Sequence, residues 1–117
     1  MGGTGPARVD RGRALVTRGE VWWGEHPDEG RRPFLILTRG PAISVLRRVV
    51  VVPATRTIRG APTELVLTEE DGMPSTCALS FDNVATVPKA GLSERICRLN
   101  VDRLIEVCRM LRFATGC

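Results

Sequence analysis

Two short runs of aliphatic and β-branched residues constrain the fold of this chain most strongly. The stretch PFLILTR occupies residues 33–39, and RRVVVVPAT occupies residues 47–55. Each run is shorter than a typical buried helix, and its residue types favour extended backbone. Because hardly any polar residue interrupts the aliphatic part of either run, we expect two strands that are buried on both faces.

Shorter patterns on either side of these runs predict further strands. A third apolar stretch, TCALSFDNVATV, spans residues 76–87 and is long enough for a strand with a bend or bulge near Asp82 and Asn83. Clusters of glycine, proline and acidic residues separate the patterns, as is typical of turns. Three more patterns alternate between polar and apolar residues and predict strands over residues 19–24, 63–68 and 94–99.

The end of the chain carries a helical pattern. Asn100 is a good N-cap, Asp102 lies in the first turn, where the helix dipole favours an acid, and Gly116 is a suitable stop. A shorter helical turn is expected over residues 88–92. The predicted apolar face of the last helix consists of Val101, Leu104, Ile105, Cys108 and Leu111, and the predicted polar face of Arg103, Glu106, Arg109 and Arg112.

Together these elements predict a mainly β fold with a C-terminal helix. Five to seven short strands in fewer than 85 residues favour a strongly bent antiparallel sheet or a small barrel. The length of 117 residues fits one domain. Residues 1–17 are rich in glycine and charge and show no periodicity, so we expect a disordered N-terminal arm before a single domain over residues 18–117.

Cysteine, histidine and hydropathy patterns exclude several classes of protein. Four cysteines are present without a C-x-x-C pair, and His26 is the one histidine. This pattern fits neither a zinc site nor a small disulfide scaffold, and it favours a reduced, cytoplasmic protein. The apolar runs fall short of the ~20 residues that a membrane helix needs, and the N-terminus lacks the apolar core of a secretory signal. We expect no cofactor and no metal.

The charge balance favours a polyanionic partner. Sixteen arginines and one lysine stand against thirteen acidic residues, which gives a net charge of +4. The planar guanidinium of arginine suits phosphate better than the ammonium of lysine. A genomic bias towards arginine codons accounts for much of such a count, so charge alone does not identify the partner.

The common catalytic motifs are missing from the sequence. A serine hydrolase would have to use His26, which lies in the polar turn GEHPDEG and is expected to be a solvated surface histidine. The sequence contains no G-x-S-x-G and no glycine-rich phosphate loop that opens a helix. The acidic run at residues 69–71 is typical of a solvated turn. Any chemistry must therefore come from polar residues at the strand ends.

Two strand ends carry such residues. Arg31 and Arg32 directly precede the strand that begins at Pro33, and Thr55 and Arg56 follow the valine-rich strand. If these strands are antiparallel neighbours, Arg32 and Thr55 converge on one rim, where a guanidinium and a hydroxyl can bind a phosphate. An arginine paired with a nearby acid and a threonine that caps a turn explain the same spacing, so both interpretations stay open.

The order of these motifs resembles the MazF/PemK family of toxin–antitoxin endoribonucleases. The stretches RGEVWW, RRPFLIL, VVVVPATRT and SFDNVATV occur in the family's order, followed by a charged strand and a terminal helix. The resemblance covers residues 18–113. It implies a compact, SH3-like, bent antiparallel β-barrel with a C-terminal helix, usually assembled as a homodimer.

The resemblance also implies a function. The chain would be the toxin of a type II toxin–antitoxin system, held inactive by a cognate antitoxin with a disordered acidic tail. It would cut single-stranded RNA at specific sequences without a ribosome, a metal or another cofactor, and so inhibit translation and growth. The substrate would be messenger RNA or, alternatively, ribosomal or transfer RNA.

The family's functional positions map onto particular residues of this sequence. Arg32 and Thr55 match the catalytic arginine and threonine. The general base is not fixed by the resemblance, and Glu25 and Glu29 in the first loop are the candidates. Here that loop reads GEHPDEGRR and departs from the Gly-Ser-Glu of many relatives. The residues expected to contact RNA are Arg31, Arg56, Cys77 and Asn83.

Two alternatives use the same fold. A CcdB-like toxin binds gyrase and is not an enzyme, but it depends on a C-terminal tail that ends in tryptophan, whereas this chain ends FATGC. A non-catalytic nucleic-acid-binding domain is the second alternative. The presence of both Arg32 and Thr55 favours the ribonuclease over it.

Overall fold

The computed structural model describes residues 9–10, 13–14, 16–26, 30–39 and 46–116. Over these residues the chain forms nine β-strands, three short 3-10 turns and one long helix. The strands are β1 (Val9–Asp10), β2 (Arg13–Ala14), β3 (Glu20–His26), β4 (Gly30–Ile36), β5 (Arg48–Thr55), β6 (Glu64–Leu67), β7 (Cys77–Ser80), β8 (Ala85–Pro88) and β9 (Leu92–Arg98); helix α1 spans Val101–Thr115.

Seven of these strands form one antiparallel sheet in the order β6-β7-β5-β4-β3-β9, with β8 also paired to β5. One edge of β5 pairs with β4 and the other is shared, because β8 pairs with its first half and β7 with its last two residues. This division bends the sheet sharply at β5. The predicted class is confirmed, and the described strands form an open, bent sheet rather than a closed barrel.

The predicted strands are found with two differences. The pattern over residues 76–87 forms two strands, β7 and β8, separated by a 3-10 turn at Phe81–Asn83. The strand predicted over 33–39 instead spans Gly30–Ile36, because its arginines pair with the end of β3. Hydrophobicity located the buried centres of the strands, but the hydrogen-bonded partner set their ends.

The central strands are buried on both faces, as predicted for the aliphatic runs. Neighbouring residues alternate between two core clusters, so Leu35 and Val52 lie in the larger cluster and Phe34 and Val51 in the smaller one. Trp22 is fully buried in the smaller cluster. The larger cluster also contains residues of β6, β7 and the terminal helix. The central strands therefore lie between two core clusters, and a functional site is expected at the ends of these strands.

Helix α1 has the predicted ends but a different buried face. Asn100 caps its first turn through a hydrogen bond from the Arg103 amide, and Gly116 ends it in the left-handed conformation. The predicted face was partly wrong, because Val101, Ile105 and Cys108 are exposed. The residues of α1 that pack against the larger core are Leu104, Val107, Met110, Leu111 and Ala114.

An ion-pair network explains why α1 buries a different face from the predicted one. The Arg103 Nε and Nη2 atoms donate to the two carboxylate oxygens of Asp71, at 2.9 and 3.1 Å. Arg103 also donates to the Val66 carbonyl and to Glu106. A residue assigned to the polar face from its spacing thus faces the sheet, because a partly buried carboxylate is available there to receive it.

The same network predicts a stability loss in acid. Burial alone raises the pKa of the Asp71 carboxyl, but the hydrogen bonds from Arg103 and the Thr68 amide and the charge of Arg103 outweigh it, so the pKa lies below the ordinary value. An acid with a lower pKa in the folded state stabilises the fold above its unfolded pKa of about 4, and this stabilisation is lost as the pH falls through the folded pKa.

We expect Asp71→Asn to lower the free energy of unfolding by about 1 kcal/mol at pH 7. The difference from the wild type should shrink as the pH falls below about 4. Urea unfolding at a series of pH values measures it, with Glu70→Gln, an exposed acid of the same turn, as the matched control. An Asp71→Asn curve parallel to the wild type at every pH would contradict this role.

The N-terminal segment is described only in part. Strands β1 and β2 pair with each other, and Val16 is buried in the smaller core cluster. The disordered arm over residues 1–17 and the single domain over 18–117 stay predictions. In the described ranges, no helix is long and apolar enough to cross a membrane.

Candidate active site

The structure brings Arg32 and Thr55 to the same place on the sheet. Strands β4 and β5 pair Phe34 with Pro53 and Leu35 with Val52, so Arg32 and Thr55 each lie two residues beyond the last pair, and both line the same two pockets. The Arg32 Nη1 atom donates to the Ala54 carbonyl at 3.1 Å. This bond fixes the guanidinium beside the end of β5. The convergence inferred from spacing is therefore found.

Two adjoining pockets open on either side of this rim. Both are lined by Arg32, Ala54 and Thr55, and their volumes are about 490 and 480 Å³. We call the first the Trp23 pocket; its other lining residues include Trp23, Arg31, Arg56, Met73, Ser75 and Cys77. We call the second the Asp82 pocket; its other lining residues include His26, Arg59, Glu64, Ser80, Asp82 and Asn83.

The Thr55 hydroxyl has a structural role and also faces the pockets. Its oxygen accepts a hydrogen bond from the Thr57 amide at 3.1 Å, so the threonine does close the turn after β5. A hydroxyl that accepts one bond keeps a hydrogen to donate and a second lone pair. Thr55 is only half-buried and lines both pockets. The Thr55 hydroxyl can therefore stabilise the turn after β5 and bind a ligand oxygen at the same time.

The arginines expected to bind RNA lie in the Trp23 pocket. The Arg31 guanidinium carbon lies 4.6 Å from the centroid of the Trp23 ring, a cation–π contact. Its Nη2 atom is 3.6 Å from a Glu94 carboxylate oxygen in an exposed ion pair. Arg56 is exposed at the mouth of the same pocket. Both charges can reach a phosphate, although Arg31 is already oriented by its two neighbours.

Asn83 and Cys77, also expected to contact RNA, differ in what they can offer. Asn83 is exposed in the Asp82 pocket, where its amide nitrogen donates to the Ser80 hydroxyl at 2.8 Å. Cys77 is buried in the larger core, and that burial, with the nearby Asp71 charge, raises the pKa of its thiol. Cys77 therefore remains a neutral thiol and forms part of the floor of the Trp23 pocket.

A second thiol behind that floor is also neutral. Burial, together with the charge of Asp71, raises the pKa of Cys97 to about 11. Its sulfur lies 3.7 Å from the Met73 sulfur. These two cysteines are packing residues, because only a thiolate is a strong nucleophile or metal ligand.

Of the two candidate bases, only Glu25 belongs to the described residues. Glu25 is exposed, pairs in register with Arg31 and lies outside the lining of both pockets. Glu29 lies outside the described residues. Within the described ranges, no group of three or more histidine, cysteine or acidic residues could hold a metal ion.

Sequence reasoning did not assign the two acidic residues of the Asp82 pocket to the site. The Glu64 Oε1 atom accepts the amides of three consecutive residues, 59–61, at 2.9–3.3 Å. The Asp82 Oδ2 atom accepts the Thr63 hydroxyl at 2.5 Å. The sequence did carry a signal for Asp82, because this polar residue interrupts the apolar pattern over residues 76–87. A polar residue between two strands at the rim of a sheet is a candidate for the site.

The fold and the rim define a class of protein that comparison identifies. Residues 17–114 match the family model described as PemK-like, MazF-like toxin of type II toxin–antitoxin system. The chain therefore belongs to that family. The predicted class is confirmed over the gyrase-binding alternative.

Its relatives are bacterial toxins of known name. The chain is 48% identical over 103 residues to the probable endoribonuclease MazF2 of Mycobacterium tuberculosis, covering 87% of this chain and 100% of the relative. It is 44% identical over 105 residues to the probable endoribonuclease MazF5 of the same organism, covering 89% and 96%. These matches support endoribonuclease activity.

A solved structure agrees with this assignment. The fold is similar to that of the Mycobacterium tuberculosis toxin MazF-mt6, with a TM-score of 0.77 and 28% sequence identity. The similarity covers 83% of this chain and 96% of that one. The bent sheet and terminal helix are thus the family's fold.

Proposed function

We propose that this toxin cuts single-stranded RNA at the rim formed by Arg32 and Thr55, with the RNA's own 2′-OH as the nucleophile. One observation carries the proposal: a held guanidinium and a half-exposed hydroxyl meet where two pockets join. A chain of nucleotides that passes from one pocket to the other would place a phosphate between these two side chains.

The chemistry needs little from the protein. The 2′-oxygen attacks the adjacent phosphorus, the bond to the 5′-oxygen breaks, and the products are a 2′,3′-cyclic phosphate and a free 5′-OH. The substrate brings its nucleophile, so the protein accelerates the reaction by holding the attacking oxygen in line and stabilising the extra charge on the phosphorane. The 2′-OH requirement also spares DNA.

Arg32 and Thr55 divide this work. The Arg32 guanidinium stays protonated and offers several N–H donors in one plane, which suits two oxygens of a phosphate. Its bond to the Ala54 carbonyl pre-orients that plane, so little reorganisation is needed during the reaction. The Thr55 hydroxyl would donate to a third phosphate oxygen or position the 2′-OH.

The pockets suggest how RNA is held on either side of the cut. Arg31 and Arg56 would bind phosphates on the Trp23 side, and Asn83 would contact a base on the Asp82 side. Cys77 would contribute only an apolar surface there. Because the pockets differ in charge and shape, the nucleotides on the two sides of the cut should be selected differently.

Membership of the family suggests the biological setting. A toxin of this family is paired with an antitoxin, and an acidic tail of that partner would be attracted to the arginine-rich rim. A homodimer and a cytoplasmic location follow from the same membership as proposals. Cleavage of messenger RNA, or of ribosomal or transfer RNA, would stop translation and growth.

A cleavage assay tests the proposed function. The purified protein is incubated with a 5′-labelled, mixed-sequence RNA transcript in excess EDTA, and the fragment ends are mapped by mass spectrometry. We expect defined cuts that bear 2′,3′-cyclic phosphate and 5′-OH ends, and no cutting of the matching DNA. Intact RNA, or cuts that appear only in a parallel reaction without EDTA, would overturn the proposal.

A further inference from the structure

The sequence's one histidine lies in the candidate active site. His26 ends strand β3, is half-buried and lines the Asp82 pocket together with Arg32 and Thr55. Its ring stacks on Phe34, with the centroids 6.5 Å apart and an angle of 8° between the rings. The polar loop sequence around it had suggested a solvated surface histidine, so the pocket position is new information.

Pairing between β3 and β4 explains this placement. His26 pairs with Gly30, Gly24 with Arg32, and Trp22 with Phe34, so the His26 ring reaches Phe34 diagonally across Gly24. A Cβ atom on Gly24 would lie only 2.9 Å from the Phe34 ring. The missing side chain at Gly24 leaves room for the Phe34 ring on which the imidazole stacks.

The stack places the imidazole on the same face as Arg32. Arg32 and Phe34 are two residues apart on β4, and alternate residues of a strand point to one face. Glu25, the neighbour of His26 on β3, points to the opposite face. The fold therefore directs the histidine, and not this predicted carboxylate, towards the rim.

Four charged residues line the same pocket as the histidine and come from different parts of the chain. Arg32 lies on β4, Arg59 follows β5, Glu64 begins β6, and Asp82 lies in the 3-10 turn between β7 and β8. Two positive and two negative groups thus line the pocket together with it. Imidazole is the side chain that most often transfers a proton to or from a reacting group in enzymes.

We infer that His26 is the catalytic residue that moves the proton in the RNA cleavage described above, and this inference rests on the proposed function. As the 2′-oxygen bonds to phosphorus, its proton passes to the unprotonated ring nitrogen of His26. As the bond from phosphorus to the 5′-oxygen breaks, the imidazolium returns the proton to that oxygen through water. No other reactant is consumed, and the imidazole ends as it began.

A pH–rate profile tests this role. The single-turnover cleavage rate of the labelled RNA transcript is measured with excess protein from about pH 5 to 8, where histidine changes charge. For the wild type the rate should fall as the pH falls, because protonation removes the base. His26→Gln should cut about a hundredfold more slowly at pH 8 and lose this dependence.

Further measurements separate catalysis from folding and binding. His26→Gln should bind a 2′-O-methylated copy of the RNA, which cannot be cut, within a factor of three of the wild type. Free imidazole should raise the cleavage rate of His26→Gly at least tenfold, whereas it should not raise the rate of Arg32→Ala. Asp102→Asn changes an exposed residue of the helix outside both pockets. It is the control for a substitution that should leave the cleavage rate unchanged.

The outcomes distinguish the two proposals. If the wild type leaves RNA intact, the proposed function fails. If the wild type cuts RNA and needs Arg32, but His26→Gln keeps the wild-type pH profile, the role of His26 is refuted. If the pH dependence of the cleavage rate is lost in Glu25→Gln and kept in His26→Gln, the base is the Glu25 carboxylate and the inference is equally overturned.

Discussion

Replacing Arg32 with alanine should lower the cleavage rate constant of this toxin by about 10³-fold or more. The variant loses the guanidinium that would face the phosphate between the two pockets, and the uncharged Thr55 hydroxyl beside it cannot replace that positive charge. Because the lost contact strengthens as charge develops on the phosphorane, kcat should fall while KM changes little. Steady-state kinetics on an RNA that carries one mapped cut site measures both constants.

Three variants control for charge and folding. Arg32→Lys keeps the charge but loses the planar fork, so its rate should lie between those of the wild type and Arg32→Ala. Arg31→Ala removes the neighbouring exposed charge and should raise KM a few-fold with kcat retained. Arg109→Ala, on the exposed face of α1, should match the wild type. A full rate in Arg32→Ala would disprove the proposed role of this residue.

Replacing Glu20 with alanine should lower the free energy of unfolding by about 3 kcal/mol. The Glu20 carboxylate is buried and accepts the Trp22 indole N–H at 3.0 Å and the Thr17 amide at 2.8 Å. Its other oxygen lies 3.0 Å from the Arg95 guanidinium. The variant leaves a fully buried indole donor without its partner, which is the costliest part of the change.

Urea unfolding measures this loss, and two variants locate its origin. Glu20→Gln keeps an acceptor for the indole and amide, so it should lose about half as much. Glu94→Ala removes an exposed ion pair with Arg31 and should change stability by about 0.5 kcal/mol or less. A Glu20→Ala variant as stable as Glu94→Ala would mean that the buried contacts contribute nothing.

Local sequence patterns anticipated most of the architecture. Aliphatic runs marked the central strands because a strand buried on both faces tolerates few polar residues, and Asn100 and Gly116 marked the ends of α1 because these residues satisfy helix termini. The juxtaposition of Arg32 and Thr55 followed from pairing two neighbouring strands. The family resemblance selected Arg32, of the two adjacent arginines, as the catalytic candidate.

Other features depend on distant partners and could not be predicted from local pattern. Two stripes of α1 have helical spacing, and the buried one is set by the core below it and by the Asp71 carboxylate that receives Arg103. Likewise, residues 76–87 are one apolar pattern but two strands, because β5 offers them different halves of its edge.

The sequence by itself therefore determined most of the elements, the family and the two candidate residues at the rim, since each depends on residue type and near neighbours. Tertiary structure alone decided the buried face of α1, the two pockets and the position of His26. A histidine in a polar loop becomes a candidate for proton transfer only when strand pairing turns it towards Arg32, and that pairing is a property of the folded sheet.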